Sequence, residues 1–365
     1  MRRQHFEILK PVCPYCKFEH QQEHPLHLNS VLREHSDTVF EGILNCSNSH
    51  CQLEYPVIDG IPVLMVNARE YLSSNFAHIV ARDDLPESLE SLLGDSAGPD
   101  RLYNRTRQHL STYAWDGYAD FDPAEPVVAD SHPENVPGAV RRCLELGLQM
   151  LAGPVLGPVL DMGCAVGRSS FELAGNTDAP VLGFDVNFSM LRLALNVLHQ
   201  GVVSYPKRRV GLVYQRRSFE AAFPSAGQVD FWACDAQMLP FSDSTFGLTV
   251  GLQLLDAVAS PVALLESVCR VLREQGSAIL ATPYDWSSQV TSVEAWIGGH
   301  SQRGPNEGAA EPLLRSLLTP GAHPQSINGL ELGREQQAVN WHNRIHDRSA
   351  MNYSTHLVTA TRTGS

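Results

Sequence analysis

Two groups of residues have the types and spacing that chemistry requires. The first is the run Val159-Leu160-Asp161-Met162-Gly163-Cys164-Ala165-Val166-Gly167-Arg168-Ser169-Ser170. It reads as a strand that turns directly into a helix. Small residues at such a turn let a ligand approach the main chain, while the N–H groups of the first helical turn point outward. The next strand, VLGFDV, ends in Asp185, whose carboxylate can accept both hydroxyls of a ribose. After a further strand, Asp235-Ala236 offers a side-chain acceptor and a main-chain donor to an adenine edge. Either later aspartate alone reads equally well as a helix N-cap. Three acidic positions closing successive strands point to one nucleotide-like ligand at the C-terminal edge of a sheet.

The second group is Cys13-Pro14-Tyr15-Cys16 and Cys46-Ser47-Asn48-Ser49-His50-Cys51, which form C-x2-C, a 29-residue gap and C-x4-C. Two cysteine pairs on turns can give four thiolates to a structural Zn2+, which supplies folding energy that a module of about 60 residues cannot draw from its own small core. The second pair is wider than usual, and His50 is an alternative to one thiolate. A redox role for Cys13 and Cys16 is disfavoured because no βαβ pattern adjoins them. The remaining cysteines, Cys143, Cys164, Cys234 and Cys269, lie in apolar surroundings and read as small hydrophobes.

The elements that must position these residues follow from patterning. From Ala139 onward, helical segments (AVRRCLELGLQML, SSFELAG, SMLRLALNVL, PVALLESVCRVL) alternate with strand-like ones (PVLDMG, PVLGFDV, VDFWACD, FGLTVGLQLL, SAILATPY, THLVTATR). This alternation is the mark of βαβ units on a mainly parallel sheet. Residues 1–66 hold the four clustered cysteines and short apolar runs broken by Gly and Pro, and read as a small β-rich module. Residues 67–136 are polar and read as a linker and helical connector, with a helix near Tyr71 to Val80 and turn chemistry in FDPAEPVVADSHPENVP. The catalytic domain is expected over 137–365. The stretch GVVSYPKRRVGLVYQRRSFEAAFPSAGQ is longer than an ordinary βα loop and reads as an insertion.

Composition sets limits. The chain of 365 residues is 43% hydrophobic and 18% charged, enough apolar material for a sizeable core. Its formal charge of −13 disfavours a general nucleic-acid surface. No segment approaches the roughly 20 apolar residues of a membrane span, and the N-terminus lacks the apolar core of a signal peptide, so a cytoplasmic location is expected and no membrane partner.

The first group of residues resembles the class I S-adenosylmethionine-dependent methyltransferases over roughly Pro137 to Arg362. Asp161, Gly163 and Gly167 match that family's first motif, with Ala165 in place of its middle glycine. The resemblance implies S-adenosylmethionine as cofactor, with Gly163 and its neighbours at the methionine part, Asp185 at the ribose and Asp235-Ala236 at the adenine. Asp161, Cys164, Gly167, Val186 and Gln253 complete the expected contacts. It also implies a Rossmann-like α/β fold with a seven-stranded, mostly parallel sheet whose last strand, THLVTATR, inserts antiparallel. A dehydrogenase would use a similar loop, but its fingerprint G-x-G-x-x-G is absent from Gly163-Cys164-Ala165-Val166-Gly167-Arg168.

The text Tyr55-Pro56-Val57-Ile58-Asp59-Gly60-Ile61-Pro62-Val63-Leu64 is similar to small zinc-ribbon proteins that act as methyltransferase activators, which implies a scaffolding or substrate-presenting role. The fourth-strand end (Gln253 to Asp256), the PYDW turn (Pro283 to Trp286) and the W-I-G-G turn (Trp296 to Gly299) are similar to methyltransferases of mercaptohistidine. This implies a small-molecule acceptor such as an amino-acid-derived thiol or imidazole. Asp256, Tyr284 and Asp285 are the expected catalytic residues, with His300 and His346 as further bases by position. Trp286 and Trp296 either line the pocket or pack as a cover over the sheet. An RNA or protein methyltransferase is the alternative suggested by Lys207-Arg208-Arg209 and Arg216-Arg217, although solvated loop charge accounts for those clusters too. A non-catalytic binding module of the same fold is the alternative from another class.

Overall fold

The computed structural model describes residues 1–125 and 135–364. Part of the FDPAEPVVADSHPENVP run therefore lies outside the described residues.

The chain opens with two short helices, α1 (Arg3–Leu9) and α2 (Pro14–His20), and an antiparallel meander of β1 (Leu26–His35), β2 (Thr38–Cys46), β3 (Glu54–Ile58) and β4 (Ile61–Leu64). Three helices follow: α3 (Ala68–Val80), α4 (Glu87–Ala97) and α5 (Leu102–Tyr118). The alternating part begins with α6 (Ala139–Gln149), β5 (Val159–Met162), α7 (Arg168–Gly175), β6 (Val181–Asp185) and α8 (Phe188–Gln200). A hairpin of β7 (Val202–Val210) and β8 (Val213–Glu220) interrupts it before β9 (Val229–Cys234), β10 (Phe246–Leu252), α9 (Pro261–Val271) and β11 (Leu272–Thr282). The chain ends with α10 (Ala310–Leu317) and a long hairpin of β12 (Leu330–His346) and β13 (Ser349–Arg362).

All but the β7–β8 pair join one sheet of eleven strands in the order β1-β2-β3-β4-β9-β6-β5-β10-β11-β13-β12. The strands β4, β9, β6, β5, β10 and β11 run parallel, and β13 enters antiparallel beside β11. Side chains alternate between two cores. Val159, Val181 and Phe231 pack with residues of α5 to α8, while Leu160, Leu182 and Trp232 pack with α9, α10 and the N-terminal meander. Helices cover both faces, which is why these strands read as unbroken apolar runs.

The sheet departs from the expected seven strands because the N-terminal module is not separate. Val63 and Leu64 of β4 pair in parallel with Ala233 and Cys234 of β9. All four residues of β4 are buried, so Ile-Pro-Val-Leu has no polar face to offer as an edge and is accommodated only inside a sheet. Leu9, Leu44 and Tyr55 of the module share a core with Trp232 and Leu264.

The described part of the segment read as a connector packs closely against the β5–α7 turn. Tyr118 and Trp115 of α5 are buried, and the Tyr118 hydroxyl donates to the Val166 carbonyl at 2.7 Å. Four of the five basic residues of the insertion are ion-paired, although Arg209 stays exposed. Lys207 pairs with Glu125 at 3.0 Å, Arg216 with Glu90 at 2.6 Å, Arg217 with Asp122 and Arg209 with Asp347. The hairpin is a strap whose charge is matched mainly by acids of the 67–125 segment.

Candidate active site

At the C-terminal edge of the parallel strands, three non-glycine residues adopt left-handed backbone conformations: Ala165 after β5 (φ 47°), Gln253 after β10 (φ 54°) and Tyr284 after β11 (φ 57°). Such conformations cost free energy and persist where the surrounding structure fixes them, characteristically around functional sites. All three lie beside a cavity of about 790 Å3, within the range of about 300–1,000 Å3 typical of small-molecule sites.

The first wall of the cavity is the β5–α7 turn. Gly163 and Cys164 line it, with Gly163 at φ 67° and no room for a Cβ, which would meet a Leu254 methyl at 2.8 Å. The Ala165 N–H donates to Oδ2 of Asp185 at 2.9 Å, and the Asn187 N–H donates to Oδ1 at 2.8 Å. Burial raises the Asp185 pKa, against the pull of these main-chain donors. Val186, Asp235 and Ala236 continue the wall, and the Gln237 N–H holds Asp235 through Oδ1 at 2.9 Å. Gln253 closes it, with Nε2 donating to Thr355 Oγ1 at 3.0 Å.

Two expected contacts are placed elsewhere. Asp161 lies beneath the turn, 1% exposed, and accepts from the hydroxyls of Ser169 and Ser170 at 2.6 and 2.5 Å. Its pKa is pushed up to about 6 by burial. It holds the start of α7 in place and does not line the cavity. Gly167 sits at φ 87°, where a Cβ would meet the Phe231 ring at 2.6 Å, so its task is close packing of helix on sheet.

On the opposite side, Asp256 and Asp285 both line the cavity. Asp256 accepts the Asp285 N–H at 2.7 Å, and burial raises its pKa. The Asp285 carboxylate accepts from the Tyr353 hydroxyl at 3.2 Å. Tyr284, expected to be catalytic, does not line the cavity. Its left-handed backbone turns the phenol to His356 Nδ1 at 2.7 Å, and His356 Nε2 in turn meets Glu335 at 3.1 Å. His300 is exposed, and His346 accepts the Arg348 N–H at 3.2 Å in the β12–β13 turn; neither lines the cavity. Trp286 and Trp296 stack on each other with centroids 6.1 Å apart, and neither lines the cavity.

Sequence reasoning missed a third wall, made by α5 and the β12–β13 hairpin: Tyr113, Asp116, Trp341, Asn343 and Tyr353. Asp116 is 5% exposed. Its Oδ2 accepts from Trp341 Nε1 at 3.0 Å, and its Oδ1 has no hydrogen-bond partner among the described residues. Burial pushes its pKa up to about 7. The available signal was an acid between Trp115 and Gly117 in the last turn of a helix, otherwise easily read as surface.

The four cysteines of the N-terminal segment meet in one cluster. Cys13 and Cys51 sulfurs lie 3.9 Å apart and those of Cys16 and Cys46 3.7 Å apart, with all four within 4.8 Å of one another. A tetrahedral site with Zn–S bonds of about 2.3 Å has sulfurs about 3.8 Å apart, so the donor set fits zinc. The Asn48 N–H and Nδ2 lie 3.4 and 3.8 Å from the sulfurs of Cys46 and Cys16. His50 is exposed and is not in the cluster.

Residues 156–312 match the family model of a methyltransferase domain. An O-methyltransferase of Penicillium expansum, cnsE, is 26% identical over 205 residues, which is 53% of this chain and 63% of that protein. The chain thus spans less than two thirds of the length of that curated relative. A solved SAM-dependent methyltransferase from Methanosarcina mazei is 19% identical with a TM-score of 0.38, covering 60% of this chain and 98% of that one. A structure from work on the conversion of a disulfide bond into a thioacetal group during echinomycin biosynthesis is 15% identical with a TM-score of 0.40, covering 62% and 82%. The domain match starts just before β5 and ends within α10, so it includes the first two walls of the cavity and omits α5 and the β12–β13 hairpin.

Proposed function

We propose that this protein transfers the methyl group of S-adenosylmethionine to a small-molecule acceptor bound in the cavity. One observation carries the reading: the β5–α7 turn, Asp185 and Asp235-Ala236 face one cavity, with the turn bonded directly to Asp185. Gly163 and Cys164 hold the methionine part, Asp185 and Val186 the ribose, Asp235 and Ala236 the adenine, and Gln253 the region between cofactor and acceptor. Asp161 and Gly167 shape the turn from behind. The cofactor supplies an electrophilic methyl group on a sulfonium. The chain's part is to orient the acceptor in a pocket that excludes water, the main requirement of an in-line displacement.

Asp256 and Asp285 face the acceptor, and Tyr284, bonded to His356 outside the cavity, contributes to stability. The acceptor is an amino-acid-derived thiol or imidazole in this reading, supported by the similarity of the Gln253 to Asp256 and PYDW segments to mercaptohistidine methyltransferases. The pairing of the basic clusters with Glu90, Asp122, Glu125 and Asp347 favours a small acceptor over RNA. Cys13, Cys16, Cys46 and Cys51 hold a structural zinc that closes a zinc-ribbon-like module over 1–66, with 67–136 as connector and 137–365 as the methyltransferase domain.

Incubation with methyl-labelled S-adenosylmethionine and a fractionated metabolite extract tests the reading. Label should pass to a small-molecule fraction, and transfer confined to RNA or protein would refute it.

A further inference from the structure

Five carboxylates line the cavity: Asp116, Asp185, Asp235, Asp256 and Asp285. Arg168 is the one Lys or Arg residue among the lining residues, and its charge is committed. It is 2% exposed and holds Asp120 through two bonds of 2.7 Å and Glu172 through a third of 2.7 Å. Asp185 and Asp235 belong to the cofactor wall. Three carboxylates remain on the far side, in a recess of low dielectric where their field is strong.

Two acceptor atoms on that side are buried without a partner among the described residues, Oδ1 of Asp116 and Oδ1 of Asn343. Buried polar atoms are almost always paired, and an orphan in a cavity wall marks the place of a ligand donor. Both belong to one construction. Trp341 and Asn343 are two residues apart on β12, so they project to the same face, and the Trp341 indole reaches Asp116.

We propose that Asp116 and Asn343, backed by Asp256 and Asp285, form an acceptor subsite that binds a cationic group bearing N–H donors and rejects anionic acceptors. This rests on the methyltransferase reading and specifies the acceptor's charge and donor chemistry. The N–H groups of such an acceptor satisfy the two orphan oxygens, and its charge offsets that of the carboxylates. A carboxylate or phosphate there would face three acids, while of the basic lining residues Arg168 is already paired and burial lowers the pKa of His109.

The test uses the full chain saturated with S-adenosylhomocysteine, titrated calorimetrically with histamine and with imidazole-4-acetate. The two probes share a ring and differ in the sign of the side chain. Histamine should bind at least about tenfold tighter, the worth of a hydrogen bond to a charged group. Asp116→Asn, which keeps an acceptor for the Trp341 indole, should reduce that preference at least about tenfold and leave S-adenosylhomocysteine affinity within about twofold. Equal or tighter binding of imidazole-4-acetate by the wild-type protein, or no binding of histamine, would overturn the subsite without reference to any variant. An unchanged preference in Asp116→Asn would remove Asp116 from it. Failure of S-adenosylhomocysteine itself to bind would instead overturn the methyltransferase reading.

Discussion

The main-chain N–H of Ala165 donates to Oδ2 of Asp185 across 2.9 Å, so the residue standing in place of the motif's middle glycine locks the proposed ribose carboxylate directly. Ala165 does this from a left-handed conformation. Asp185→Ala removes both the ligand contact and this lock. Affinity for S-adenosylhomocysteine should fall by about 10- to 100-fold, the loss expected from one or two charge-assisted hydrogen bonds. Ala165→Gly, which relieves the backbone cost and keeps the N–H, should leave affinity within about threefold. Calorimetric titration of both variants checks the pair.

Metal analysis of the purified chain should find about one zinc per molecule. Cys16→Ser should lose it and lower the Tm by roughly 5–10 °C, because the cysteine cluster packs in the same core as β9 and α9. Absence of zinc from wild-type protein prepared without chelator would contradict the four-thiolate site.

Tyr284 and Asp285 separate by role. Tyr284→Phe removes a hydrogen bond to His356 outside the cavity and should cost about 1 kcal/mol of stability with KM for both substrates unchanged. Asp285→Asn alters a cavity wall and should raise the acceptor KM or lower kcat. Steady-state kinetics on the acceptor found by label transfer, with denaturant melts, distinguish them. Equal kinetic damage in both would return Tyr284 to the acceptor side.

Asp116 makes stability depend on pH. Its carboxyl titrates near pH 7 in the folded chain against 3.8 for the ordinary group, because burial disfavours the charge. Between those values the folded state binds more protons than the unfolded state, so this group's contribution to stability falls as pH rises from about 4 to about 7 and is level above. Asp161, raised to about 6 by burial, acts in the same direction. Asp116→Asn removes the penalty and should stabilise the ligand-free protein at pH 8 by about 1–3 kcal/mol more than at pH 5, at about 1.4 kcal/mol per pKa unit. Melting temperatures of the two proteins across that range give the answer; a constant difference would mean that Asp116 titrates normally.

The parallel strands and the cavity wall at their C-terminal ends were legible because their signals are local. An apolar run ending in Asp161, Asp185 or Asp235 states both a strand and its functional end. The third wall was hidden because its residues are far apart in sequence and carry no pattern of their own. Trp341 and Asn343 lie on β12, whose Glu-, Arg- and Gln-rich text lacks a clean alternation, and Asp116 meets them only through tertiary packing. The direction of the Tyr284 phenol was not legible, because a turn's position can be inferred from the strand before it, whereas the direction of the phenol depends on a left-handed φ that a non-glycine residue does not announce. The module boundary at residue 66 was a genuine change of composition, yet β4 pairs across it, since strand pairing with β9 leaves no mark in either strand alone.

The most direct measurement is calorimetric titration of the full chain with S-adenosylhomocysteine. One molecule should bind per chain, with the heat abolished or the affinity reduced at least about tenfold in Asp185→Ala. A wild-type protein that is folded by circular dichroism and gives no heat with either S-adenosylhomocysteine or S-adenosylmethionine would contradict the account.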